Sequence, residues 1–171
     1  VILVLNEEHD IFKMGGLRKK MPVVFMTFLI GSASLSALPL VTAGFYSKDG
    51  ILWYAFSSGS GSILLWLAGI IGAFLTALYS FRMIFITFFG ETKTQPSFIP
   101  GKLMTVPLII LAVLSLVGGF VELPVSFGNI HLFSGMVENT LPGIVTKHGE
   151  QLELLFQSLS AITALGGTYL A

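Results

Sequence analysis

Lys48 and Asp49 stand side by side in an otherwise apolar stretch that runs from Met21 to Phe56. A full charge at the centre of a membrane helix costs about 2.5 to 3.5 kcal/mol on insertion scales, so such residues face a protein interior or a water-filled path. An ammonium withdrawn from water surrenders its proton more readily than a solvated one, which is the property a proton relay needs. Neighbours on a helix point about 100° apart, so Asp49 does not form a face-to-face pair with Lys48. Its carboxylate is placed instead to tune the local field or to meet another helix. Hydropathy leaves a second reading open, in which residues 22–42 complete the crossing and Lys48-Asp49 sit solvated at the outer interface.

The other chemistry-bearing residues are more scattered. Arg82 falls near the end of an apolar segment among Phe81, Phe85 and Phe88, the pattern of an interfacial anchor whose charge reaches back toward water. Ser32, Ser34, Ser36, Thr42 and Ser47 are candidates for satisfying a broken backbone or holding water, although hydroxyls in membrane helices usually bond their own backbone. Thr76 and Tyr79, one turn apart, read first as packing residues. Glu122 reads as an outer-interface carboxylate. His9, His131 and His148 fall in expected loops without ligand spacing, so no metal site is expected. The chain contains no cysteine, which removes disulfides, thiolate metal sites and iron–sulfur ligation. A net charge of zero gives no reason to expect nucleic acid as a partner.

These residues must be positioned by membrane helices. Of the 171 residues, 54 % are hydrophobic and only 11 % charged, against roughly one quarter charged in a soluble domain; the mean hydropathy is +0.88. About 20 apolar residues cross a hydrocarbon core of roughly 30 Å. The expected organisation is all-α and polytopic, with about four transmembrane helices, the first one discontinuous. Residues 1–21 are the end of a preceding span plus a loop on the basic side, followed by a broken transmembrane helix over 22–56. Further spans cover 62–89, 103–123 and 152–171, the last one truncated, and 90–102 and 124–151 are loops. The 124–151 loop is expected to hold a short helix near 131–140. The absence of a starting Met, the apolar Val1–Leu5 and the open end at Ala171 read as an internal piece of a longer protein.

Pro39 and Gly44 interrupt the first span. Proline inside a helix removes a donor and clashes with the preceding turn, which predicts a break near Leu38 and resumption near Phe45. One straight helix over 22–56 would be about 50 Å long, too long for a single crossing. Two shorter helices with an unwound joint fit better, and such a joint survives at membrane depth only where protein or a wet cavity satisfies its backbone. Lys13, Arg18, Lys19, Lys20, Lys93 and Lys102 fall in the loops 6–20 and 90–102, against Lys147 alone in the other two loops. The positive-inside rule places the six on the cytoplasmic side or its organellar equivalent. Gly69, Ala73 and Ala77 form a small-residue stripe that lets a neighbouring helix approach closely.

Three strings carry a family resemblance: His9 to Leu17, Ser36 to Asp49 with its Gly-Phe-Tyr-Ser-Lys-Asp core, and Leu78 to Phe85. They resemble the distal antiporter-like subunit of respiratory complex I, the bacterial L subunit or mitochondrial subunit 5, strongly over residues 5–90. The resemblance implies a proton-translocating, non-redox subunit of an NADH:quinone oxidoreductase in the bacterial inner membrane, or in the mitochondrial one. It implies that Lys48 is the terminal proton-carrying lysine of the second half-channel and Asp49 its acidic neighbour. It implies the lipid bilayer and other membrane-arm subunits as partners, with no cofactor in this chain; FMN, iron–sulfur clusters and quinone belong to other subunits. Gly50 stands where relatives often carry an acid. The alternative on the same fold is the large subunit of a multisubunit sodium/proton antiporter, or a membrane-bound hydrogenase module.

Overall fold

The computed structural model describes residues 1–39, 42–123, 130–137 and 150–171. Among the described residues six α-helices carry the fold: α1 (Pro22–Leu35), α2 (Ala43–Ser57), α3 (Ile63–Phe88), α4 (Lys102–Val117), α5 (Leu132–Val137) and α6 (Glu150–Leu170). A two-residue antiparallel pair, β1 (Glu122–Leu123) and β2 (Ile130–His131), is the one departure from helix and coil among the described residues. α5 falls inside the region expected to hold a short helix, and residues 138–149 lie outside the described residues.

Two helical stretches are long and apolar enough to cross a membrane, Ile63–Phe88 and the continuous run Lys102–Val121. Only 22 % and 11 % of their apolar windows are buried, so these are not core helices of a water-soluble domain. Their outward side chains, among them Leu64, Ile71, Leu103, Leu111 and Leu114, need lipid or further protein around them. The chain is a helical membrane protein. α6 is long enough, but polar residues along one of its faces dilute its hydropathy. α1 and α2 are each too short to cross alone, at about 21 and 22 Å.

The first span breaks earlier than expected and for a different reason. α1 ends at Leu35 rather than near Leu38, and α2 begins at Ala43 rather than Phe45. Ala37 adopts a left-handed conformation, φ 58°. The Leu38 N–H donates to the Ala33 carbonyl at 3.0 Å and the Ala37 N–H to that of Ser34 at 3.1 Å. This is a Schellman stop with alanine where glycine is usual. Pro39 follows it and blocks any resumption of the helix rather than ending the helix itself.

On the basic side, residues 1–21 fold back onto the end of α3 and the segment after it. Ile2–Leu5 form a short 3-10 helix that buries Val4 and Leu5 against Met14, Leu17, Phe25, Ile84 and Phe88. The Gly16 and Arg18 N–H groups donate to the Phe89 and Phe88 carbonyls, and the Ser97 N–H to that of Val4. Lys93 Nζ reaches the Phe12 carbonyl at 2.9 Å, Thr94 Oγ1 the Lys13 carbonyl at 2.7 Å, and Lys20 Nζ the Gln95 side chain. Gly15 is required where the loops touch, because a Cβ there would lie 2.3 Å from the Glu91 carbonyl oxygen. The Arg18 guanidinium lies over the rings of Phe25 and Phe89. The two basic loops therefore form one layer at one end of the bundle.

At the other end α3 starts from Ser62, whose Oγ accepts the Leu65 N–H. The small-residue stripe of α3 faces two neighbours: a Cβ on Gly69 would meet Leu52 of α2, and one on Gly167 of α6 would meet Ala77. Where lipid supplies no hydrophobic drive between helices, such close contacts supply the packing. The matched positions, Trp66 beside Phe156 and Ala77 beside Gly167, show that α3 and α6 run in the same direction.

Candidate functional site: a helix break closed by a lysine

The break between α1 and α2 leaves helix ends facing one another, each with backbone groups that have no partner within their own helix. Each helix supplies the other's missing partner. The Ser34 hydroxyl of α1 accepts the Gly44 N–H of α2 at 3.3 Å, and Lys48 Nζ of α2 donates to the Leu35 carbonyl, the last of α1, at 3.1 Å. A cation at a helix C-terminus also meets the negative end of the helix dipole. Gly44 makes the approach possible, since a Cβ there would fall 1.8 Å from the Ser34 carbonyl oxygen. Ser36 Oγ bonds back to the Ser32 carbonyl at 2.7 Å and Thr42 Oγ1 to that of Leu38 at 3.0 Å. Both hydroxyls are buried. Ser47 is exposed and weakly back-bonded to Gly44.

Lys48 is partly buried and Asp49 is 5 % exposed. They form no ion pair: among the described residues the salt bridge is Lys13–Glu8 on the basic side. Asp49 turns instead toward α6, where Ser160 lies beside it with its hydroxyl donated to the Phe156 carbonyl at 3.0 Å. Its second oxygen, Oδ2, is buried with no protein partner. Such an atom costs free energy unless something supplies a proton or a hydrogen bond. The site thus combines an ammonium on a helix end with a carboxylate holding unused acceptor capacity.

The remaining candidates stand apart from it. Arg82 is exposed on α3, six residues before the helix ends, within snorkelling reach of the basic side. Tyr79 is 51 % exposed and Thr76 bonds its own Gly72 carbonyl, so neither faces the break. His9 is exposed; the Glu122 and His131 side chains and all of His148 lie outside the described residues. Among the described residues no group of acids and histidines could hold a metal ion. Gln157 and Ser160 on α6 are buried polar residues that the hydropathy pattern passes over. Their signal is the spacing Glu153, Gln157, Ser160, one face of a helix.

Comparison with known proteins bears on the same residues. Residues 1–76, which contain the whole break, match the family model described as NADH:quinone oxidoreductase/Mrp antiporter, TM. NADH-quinone oxidoreductase subunit L of Pseudomonas aeruginosa is 42 % identical over 172 residues, covering all of this chain and 26 % of the relative. The protein of the same name from Escherichia coli is 52 % identical over 124 residues, 72 % of the chain and 20 % of the relative. The chain belongs to the NADH-quinone oxidoreductase subunit L family. NADH-ubiquinone oxidoreductase chain 5 of Phytophthora infestans, 45 % identical over 129 residues and 71 % of the chain, extends the likeness to a eukaryotic relative. The chain spans about a quarter of the length of the subunit L relatives that it matches from end to end.

Proposed function

We propose that this chain contributes part of a proton half-channel to an NADH:quinone oxidoreductase of an energy-conserving inner membrane, with Lys48 as the residue that loads and releases the proton. The observation that carries the reading is the helix break itself, which brings a lysine to the unsatisfied end of α1 beside a buried carboxylate with a spare acceptor. Electron transfer belongs to other subunits: this chain offers no cysteine and its titratable groups suit proton movement. The partners that follow are the neighbouring membrane-arm subunits and the lipid bilayer. Moving one charge against 100 mV costs about 2.3 kcal/mol, so uptake on one side and release on the other require Lys48 to alternate between stabilised and destabilised charge. Its bond to the Leu35 carbonyl belongs to the stabilised state.

The same bond favours a second reading, in which Lys48 is a fixed cap of α1. Arginine separates the two, because its guanidinium keeps the charge and the donors but is not deprotonated in proteins. Lys48→Arg in the full-length protein, within the assembled complex in sealed vesicles, is expected to retain assembly and NADH oxidation and to move fewer protons per electron. Wild-type proton yield in that variant leaves Lys48 as a cap only.

A further inference from the structure

α6 carries a line of polar side chains on its inward face. Glu153, Gln157 and Ser160 recur at spacings of four and three and so share one face. That face points inward: Gln157 and Ser160 are each 7 % exposed, while Leu155, Leu159 and Ile162 on the outward side are 62 %, 48 % and 66 % exposed. Gln157 Nε2 donates to Glu153 Oε1 at 3.1 Å. Ser160, one turn further along, faces Asp49. Gln157 Oε1 and Asp49 Oδ2 are both buried acceptors without a protein donor.

Two acceptors, one on α2 and one on α6, cannot satisfy each other. A molecule that donates to both, water or its protonated form, satisfies them. The line also has a direction. α6 enters from the side opposite the basic loops, and Glu153 is the fourth residue of the helix while Ser160 is the eleventh, a difference of about 10 Å along the axis. Beside it the rings of Trp53, Phe56 and Trp66 enclose Phe156, with centroids 6.0, 4.4 and 4.7 Å away. This aromatic cluster, in which Trp66 Nε1 is itself buried without a partner, stands beside the polar face of α6.

We infer that Glu153, Gln157 and Ser160 of α6 line the path by which a proton leaves Asp49 for the outer aqueous phase. The inference rests on the reading of Lys48 as a proton carrier. In the step it describes, water carries a proton from the Lys48 ammonium, which becomes an amine, to Asp49, which becomes a carboxylic acid. The proton then passes to water held by Ser160 and Gln157, each water oxygen gaining one proton and yielding another. The Glu153 carboxylate receives it and releases it outward, so that Asp49, the waters and Glu153 return to their starting states and Lys48 stays an amine until a proton taken up from the inner side reloads it.

Two measurements on the complete complex in sealed vesicles test this. Single cysteines replacing Glu153, Gln157, Leu155 and Leu159 are exposed to a membrane-impermeant thiol reagent from each side, and labelling is read on the peptide by mass spectrometry. Positions 153 and 157 are expected to label from the outer phase and 155 and 159 to remain unlabelled; labelling of 157 from the inner phase, or from neither, overturns the path. Gln157→Leu is then expected to lose the same part of the proton yield as Lys48→Arg, with NADH oxidation retained and Gln157→Glu restoring the yield. If Lys48→Arg loses yield and Gln157→Leu does not, the α6 path falls and the Lys48 reading stands. If neither loses yield, both fall.

Discussion

The basic end of the molecule and the helix break use polar groups in opposite ways. Where residues 1–21 meet the segment after α3, loop donors find carbonyls: Gly16 with Phe89, Lys93 with Phe12, Thr94 with Lys13, Ser97 with Val4. At the break the polar groups are fewer and more buried. Asp49 and Gln157 each keep an oxygen unpaired, and the Lys48 amine holds a helix end together while paired with no carboxylate among the described residues. The contrast separates groups that maintain a shape from groups left with capacity to exchange a partner. A saturated network resists change, whereas a buried group with an unused lone pair is costly to fold and is kept where chemistry uses it.

The largest expected effect joins the two regimes. Gly44→Ala places a methyl group 1.8 Å from the Ser34 carbonyl oxygen, so α1 and α2 must separate and both reciprocal caps are lost. Losing the caps and the close packing together is expected to cost several kcal/mol. It shows as failure of the full-length subunit to appear in the assembled complex on native gels. Normal assembly of this variant would mean that the break is not closed by contact at Gly44.

Next in size, and decisive for the comparison, is Asp49→Asn. If Asp49 were structural, its loss would destabilise the protein. As a buried carboxylate with one unpaired oxygen it should behave the other way: removing the charge leaves thermal stability unchanged or raises it by about 1 kcal/mol, while the proton yield per electron falls. Melting of the purified complex and vesicle acidification check both halves. A drop in melting temperature with undiminished yield would move Asp49 into the same class as the basic-end network.

How much of this was legible in the sequence differs by region. The basic loops were, because charge asymmetry acts over whole loops, and the two loops do touch through Lys20 with Gln95 and Lys93 with Phe12. The small-residue stripe of α3 was also legible, since Gly69, Ala73 and Ala77 declare their role by size and spacing. The break was expected, but at the wrong residue. Proline announces itself, whereas the left-handed turn at Ala37 is made by a residue with no intrinsic preference for it and shows only in the backbone bonds that close the stop. The partner of Asp49 was not legible, because it comes from a helix more than a hundred residues away in the chain. The polar face of α6 could have been found by counting at three and four instead of averaging hydropathy over a window.

Thr94→Val tests the other side of the comparison. It removes the Thr94 Oγ1 bond to the Lys13 carbonyl at an exposed position, where one neutral hydrogen bond contributes about 0.5 to 1 kcal/mol. A small fall in melting temperature with an unchanged proton yield is expected, the reverse of Asp49→Asn. If the yield falls instead, the loop layer is coupled to the break and the division into two regimes fails.

The smallest effect lies at Glu8 in the same layer. Its Oε1 accepts the Asp10 N–H at 3.0 Å and its Oε2 lies 3.5 Å from Lys13 Nζ. The backbone donor first of all, and Lys13 to a smaller extent, favour the charged form, outweigh the opposing desolvation and hold this carboxyl below its ordinary range. A carboxyl lowered on folding stabilises the folded chain above its unfolded pKa, and that contribution disappears as pH falls through the folded value. Glu8→Gln should therefore melt slightly below the parent at neutral pH and together with it in acid. Because Lys13 is exposed and Glu8 only half-buried, added salt should narrow the neutral-pH gap. A gap that persisted unchanged through acidification would assign the order of this loop to packing of its backbone rather than to the Glu8 charge.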